Sequence, residues 1–222
     1  MMRVLVIGGS RGIGREFVTQ YLADRAQVTA TARRPEDVAE LEALGATAFA
    51  LDVTDAVSAS GLAWRVDNAG FDVVVVNAGV YGPRHTGLDT PTEADFDSVM
   101  RTNVLGPMRV IPQLADALAP GARLAVLSSR MGSIGLRDGS AGWLYRASKA
   151  ALNSVLKDVS LQFAGKATCV ALHPGWVQTD MGGAGAALTP QRSVADMRRT
   201  LAGLTPAQTG SFLNHDGTAL AW

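Results

Sequence analysis

Short β-branched runs alternate with stretches of helical periodicity along the whole of this sequence. Val4 to Ile7 is an unbroken apolar run, as expected of a strand covered on both faces. Gly12 to Arg25 follows, with Ile13, Phe17 and Tyr21 at four-residue spacing on one helical face. Further strands are predicted over Val28 to Ala32, Thr47 to Leu51, Val73 to Val76, Arg123 to Leu127, Thr168 to Leu172 and Ser211 to Leu213. Between them, a helix opens at Pro35 with Val38, Leu41 and Leu44 as its stripe, and a weaker one carries Val57 and Trp64. A long helical region from Glu93 to Leu118 is interrupted at Gly106-Pro107 and Pro112, where a kink or split is predicted. Helices over Leu144 to Phe163 and Val194 to Leu204 complete the pattern. Such alternation demands right-handed βαβ crossovers and a parallel sheet. The expected fold is therefore α/β: one Rossmann-type doubly wound domain over residues 1–222 with a mainly parallel sheet of about seven strands. After Pro174 the pattern dissolves into Gly and Ala, read as a short substrate lid at about 176–192.

Composition narrows the function classes. With 47% hydrophobic residues in a chain of 222, there is ample material for a core, and disorder is excluded. Twenty basic residues balance twenty acidic ones, so the basic surplus of a nucleic-acid binder is missing. Cys169 is alone and lies in a predicted buried strand, so neither a disulfide scaffold nor a reactive thiol is expected. His85, His173 and His215 are scattered without acidic or thiol neighbours at ligand spacing, and no metal site is expected. The apolar run that Gly8 and Gly9 end is too short for a signal-peptide core or a membrane span. A cytoplasmic protein with no membrane partner is the expectation.

The segment Gly8-Gly9-Ser10-Arg11-Gly12-Ile13-Gly14 joins the first predicted strand to the first helix. Glycines there allow a tight turn and a close backbone approach to a pyrophosphate, and the helix N-terminus offers free N–H groups and a positive dipole. The second strand ends in Arg33-Arg34, where an NAD enzyme would carry an acid for the ribose 2′-hydroxyl. A guanidinium instead offers a bidentate partner for a 2′-phosphate, and Arg11 supplies another cation within reach. NADP(H) is expected over NAD(H).

The spacing Gly8-x3-Gly12-x-Gly14 resembles that of the short-chain dehydrogenase/reductase family, which usually has Thr where this chain has Ile7. Asp52-Val53 is similar to the family's adenine-contacting pair, and Asn77-Ala78-Gly79 to its motif on the adenosine side. Pro174-Gly175-Trp176-Val177-Gln178-Thr179 resembles the segment in which the Val177 backbone and the Thr179 side chain would hold the nicotinamide carboxamide. The decisive stretch is Tyr145-Arg146-Ala147-Ser148-Lys149. Positions i and i+4 share a helical face, which sets the ammonium beside the phenol. The resemblance implies Tyr145 as general acid in carbonyl reduction and base in alcohol oxidation. It implies Lys149 as the cation that lowers the phenol's pKa and holds the nicotinamide ribose.

The family's serine corresponds to Ser129, which lies 16 residues before Tyr145, a wider gap than usual; Ser133, 12 before, is the alternative. Asn103 matches the helix asparagine that helps hold a water beside the lysine. The segments Ser128 to Ile134 and Tyr145 to Lys149 look most like the C-factor/sniffer-type carbonyl reductase branch. This resemblance implies an NADPH-dependent reductase of a small ketone or aldehyde, assembled as a homodimer or homotetramer. The alternative is a cofactor-binding signalling or redox-sensing protein with dispensable catalysis. Tyr81, Met131, Trp143, Trp176 and Met181 are candidates for an apolar pocket beside Tyr145.

Overall fold

The computed structural model describes residues 1–84 and 86–222, so His85 lies outside the described residues. Among them is one seven-stranded, all-parallel sheet. Its strands are β1 (Arg3–Ile7), β2 (Gln27–Ala32), β3 (Thr47–Ala50), β4 (Phe71–Val76), β5 (Leu118–Leu127), β6 (Ala167–His173) and β7 (Ser211–Asn214). They lie in the order β3-β2-β1-β4-β5-β6-β7. The order reverses between β1 and β4, and open sheets of this kind bind ligands at the carboxyl ends of the strands beside that reversal.

The continuous apolar strands are sorted by the two-residue period of the pleat. Leu5, Ile7, Val74, Val76, Leu124 and Val126 face one layer, which holds Leu114, Leu152 and Leu156. Val4, Val6, Val73, Val75 and Leu127 face the other, with Phe17, Tyr21, Leu41 and Met197. The helices behind these residues are α1 (Gly12–Ala23), α2 (Pro35–Ala43), α7 (Trp143–Gln162) and α8 (Pro190–Ala202).

Three elements differ from the sequence reading. The weaker helix is split into α3 (Ala56–Ser60) and α4 (Leu62–Arg65). Ala59 and Leu62 are its buried residues, while Val57 (81% exposed) and Trp64 (90%) face solvent. The long region breaks earlier than Gly106: α5 (Glu93–Met100) runs into a π-helical turn, Arg101–Leu105, before α6 (Gly106–Val110) and a 3-10 segment, Ile111–Ala117. Pro107 has no N–H for the Asn103 carbonyl and its ring would clash there, and the Gly106 N–H reaches back five residues to Arg101 O instead. Finally, α8 begins at Pro190, because Thr189 caps it by accepting from the Arg192 N–H at 3.2 Å. The loop before α8 therefore ends at Thr189.

α7 is held against the loop that follows β5 by a close approach at Gly132. A Cβ there would lie 2.8–2.9 Å from the Lys149 backbone carbon, Cβ and carbonyl oxygen. Gly132→Ala is therefore expected to destabilise the fold by about 1–3 kcal/mol through overpacking, read as a lower denaturation midpoint. An unchanged midpoint would show that α7 can slide away without cost.

Candidate active site

The glycine loop after β1 is fixed from both neighbouring strands. Asn77, just past β4, donates from Nδ2 to the Gly8 carbonyl at 2.6 Å. Thr31, on β2, accepts from the Gly8 N–H through Oγ1 at 3.1 Å. The α1 N-terminus packs against the loop so tightly that a Cβ on Gly14 would sit 2.1 Å from the Gly8 carbonyl oxygen. Thr31 is a supporting residue that the motif reading missed; only its place opposite Ile7 in the parallel register signals it.

This loop lines a narrow cleft of about 110 Å³, and Ser10, Arg11, Arg33, Asp52, Val53 and Asn77 to Gly79 contribute to its wall. Asp52 Oδ1 is held by the N–H and hydroxyl of Thr54 at 2.8 and 2.7 Å. The three arginines have different fates. Arg33 is an exposed wall residue with no ion-pair partner among the described residues. Arg11 is paired with Asp180, in the loop after β6, at 2.9 Å, both side chains being mostly exposed, and such a pair contributes little. Arg34 is absent from the cleft wall: its guanidinium is forked onto Asp37 at 2.7 and 2.9 Å, at the start of α2. The Arg34 hydrogen bonds hold the Asp37 carboxyl below its ordinary pKa.

Next to the cleft is a cavity of about 590 Å³ at the carboxyl edge of β5 and β6. Tyr145, from the first turn of α7, and Ser129, just past β5, both line it. So do Ile13, Pro174, Gly175, Val177 and Thr179. Of the apolar candidates, Tyr81, Met131, Trp176 and Met181 are in the wall. Trp143 is not in it, and its indole N–H donates to the Asp89 carbonyl at 3.1 Å. The Tyr81 and Tyr145 rings stack with centroids 4.6 Å apart.

Behind the phenol, Lys149 is buried and donates from Nζ to the Leu127 carbonyl at 2.8 Å, with Nζ 5.7 Å from the Tyr145 ring centre. Burial pushes the Lys149 pKa down to about 8. It pushes the Tyr145 phenol up to about 12, against an opposing pull from the Ser129 hydroxyl. Desolvation thus acts against the acidified phenol that the resemblance implies.

Asn103, in the π-helical turn, is fully buried. Its Oδ1 accepts from the Val80 N–H at 2.8 Å, and its Nδ2 donates to the Val80 carbonyl at 2.8 Å and to Ser148 Oγ at 2.9 Å. Gly79 fits between it and the lysine: a Cβ there would be 3.3 Å from Asn103 Oδ1 and 3.4 Å from Lys149 Nζ.

The two serine candidates separate cleanly. Ser129 Oγ accepts from the Met131 N–H at 3.1 Å and faces the cavity. Ser133 is fully buried and not in the wall; its hydroxyl donates to the Ala221 carbonyl at 2.7 Å and accepts from the Leu136 N–H at 3.0 Å. The Trp222 carbonyl accepts from the N–H groups of Ile134 and Gly135 at 3.1 and 2.9 Å, so Ser133 is part of a clamp on the last residues. Burial pushes the Cys169 thiol up to about 12. Among the described residues no cluster of His, Cys, Asp or Glu is arranged to hold a metal, and no helix is long and apolar enough to cross a membrane.

Comparison with known proteins agrees with this arrangement. The chain is 40% identical to the C-signal of Myxococcus xanthus over 154 residues, which cover 68% of this chain and 92% of that protein. It superposes with a TM-score of 0.90 on a short-chain dehydrogenase/reductase from Burkholderia multivorans with bound NADP, at 31% identity, covering 100% of this chain and 99% of the other. The carbonyl reductase Sniffer of D. melanogaster superposes with a TM-score of 0.89 at 29% identity, and each chain is covered in full. A family model described as short chain dehydrogenase matches residues 2–187, and the chain belongs to that family.

Proposed function

We propose that this protein is an NADP(H)-dependent oxidoreductase that reduces a ketone or aldehyde to the alcohol, reversibly, with Tyr145 as general acid. The observation that carries this reading is the convergence of Tyr145 and Ser129 on one cavity beside the glycine-loop cleft.

The residues present fit a dinucleotide. The close-packed turn at Gly8 and Gly14 leaves the N-terminus of α1 free to face phosphates. Gly12, Ile13, Asp52, Val53 and Asn77 to Gly79 would hold its adenosine and phosphate portion. Pro174, Gly175, Val177 and Thr179 would hold the nicotinamide end, with Lys149 on its ribose. Arg33, without an ion-pair partner, suits a 2′-phosphate, with Arg11 released from its exposed pair at small cost. The bound cofactor supplies the hydride.

Ser129 Oγ holds the substrate oxygen, and the Tyr145 hydroxyl gives it the proton as the carbonyl carbon becomes tetrahedral. A phenol with a pKa near 12 is protonated at neutral pH, which is the state reduction requires. The buried Lys149 cation favours the phenolate left behind. Asn103 acts on this step by fixing Val80 and Ser148, and so the turn of α7 that carries Tyr145.

Tyr145→Phe should lower carbonyl reduction at least 100-fold while NADPH binding, followed by cofactor fluorescence, persists. Undiminished reduction by this variant overturns the mechanism. Tight NADPH binding by the parent with no turnover across a carbonyl and alcohol panel points to a sensor instead. Arg33→Asp should lower the NADPH-to-NADH ratio of kcat/KM at least tenfold, whereas Arg34→Ala, whose fork is occupied by Asp37, should shift it by no more than about threefold.

Lys149 also has a stability signature. Its folded pKa is below its unfolded one, so its charge costs stability below about pH 8, and that cost is relieved between about 8 and 10.5. A shift of this size corresponds to about 3 kcal/mol at most, partly offset by the bond to Leu127. Lys149→Met should therefore melt at neutral pH no lower than the parent while losing reductase activity at least 100-fold. A marked fall in melting temperature would show that Lys149 is primarily structural.

A further inference from the structure

Next to Tyr145, Arg146 is a wall residue of the same cavity and is only 9% exposed. Its Nε donates to the Ala141 carbonyl at 2.9 Å. The terminal nitrogens have no carboxylate within ion-pair distance among the described residues. Arginine keeps its proton under all ordinary conditions, so this is a buried positive charge with no counter-charge, an arrangement that is costly unless a partner arrives. The remaining charged wall residues reinforce the sign. Among the described residues Arg130 makes no ion pair, and Arg84 is tied to the Met181 carbonyl at 2.6 Å and the Tyr81 ring face. The sole acid in the wall is Asp138, which is exposed and itself forms no ion pair among the described residues. Burial holds His173 neutral, with its pKa pushed down to about 4, so it adds no charge of either sign.

We infer that the cavity takes a carbonyl substrate bearing a carboxylate, and that Arg146 is the specificity-determining residue that recognises it. The planar guanidinium presents its two terminal nitrogens as a fork matched to a carboxylate. Because Arg146 and Tyr145 line the same cavity, an anionic group bound at Arg146 would place the carbonyl within that cavity beside the phenol. Tyr81, Met131, Trp176 and Met181 supply apolar surface for the body of the molecule. The inference rests on the carbonyl-reductase reading for its chemistry, but the anion site itself can be tested without turnover.

The matched pair 4-carboxybenzaldehyde and methyl 4-formylbenzoate, reduced by the full chain with NADPH, separates charge from shape. The parent should favour the acid at least tenfold in kcat/KM, mainly through KM. In Arg146→Met and Arg146→Gln the acid-to-ester ratio should fall roughly 10- to 100-fold, and Arg146→Lys should recover part of it. If Arg146 serves only to shape residues 139–142 through Ala141, both aldehydes lose equally, and an unchanged ratio overturns the proposal. A parent that prefers the ester also overturns it. If neither aldehyde is reduced, the reductase reading fails on its own, and calorimetry with terephthalate and its dimethyl ester decides the site. Binding of terephthalate alone, abolished in Arg146→Gln, supports the anion site, and no binding to the parent sinks it. Arg146→Gln keeps a donor for the Ala141 carbonyl and carries the test where the methionine variant does not fold.

Discussion

The buried amide of Asn103 ties together the parts of the molecule that have to agree for the site to exist. It is bonded to both backbone groups of Val80, just beyond β4, and to Ser148 in α7, so three elements distant in sequence share one side chain. Ser148 in turn donates to the Tyr145 carbonyl at 2.8 Å, which passes the constraint to the turn holding the phenol. A buried amide that is satisfied on both its oxygen and its nitrogen rigidifies its surroundings; a half-satisfied one would be a liability. The amide can reach Val80 because Pro107 widens the helix into a π turn at this point, and such turns concentrate at functional positions.

How much of this could be read from the chain depends on the range of the interaction. The valine-rich strands were legible because burial on both faces leaves no room for polar alternation. The glycine loop and Tyr145-x3-Lys149 were legible because the chemistry sits within one turn of one element. The ion pair of Arg34 was not legible although its partner is three residues away. A basic residue after β2 suits a phosphate, but Asp37 in the first turn of α2 competes for the same fork. The roles of Ser129 and Ser133 were not separable from spacing, because the choice is made by Ala221 and Trp222, which return across the whole length of the fold. The helical segment carrying Val57 and Trp64 was legible, but its split and its buried face were not: in helices of four and five residues the period is too short to define a face, and packing chose Ala59 and Leu62.

The zero net charge conceals a division by depth. Arg11 and Arg34 are exposed and paired with acids of the loop after β6 and of α2, where solvent screening makes each pair cheap to break. Lys149 and Arg146 are buried, adjacent to the same tyrosine, and neither faces an acid among the described residues. Neutral Tyr145 does not compensate them, since the same desolvation that depresses the lysine keeps the phenol protonated.

Two cations without ion-pair partners among the described residues, beside a neutral phenol and with exposed Asp138 as the one acid in the cavity wall, favour negative charge on what binds or reacts there. In the proposed reaction, charge developing on a carbonyl oxygen, and on the phenol as it gives up its proton, would be stabilised by dipoles and cations already in place, without reorganisation. The depth of each cation then decides its task. Exposed Arg33 and Arg11 contribute attraction that salt weakens and are suited to a cofactor that must leave after each turnover. The buried pair acts over short distances in a less polar medium, where a single displaced contact changes the energy of the reacting state. With no ion pair among the described residues to hold it, Lys149 is kept in place by its bond to the Leu127 carbonyl and by the close packing of Gly79 and Gly132 against it.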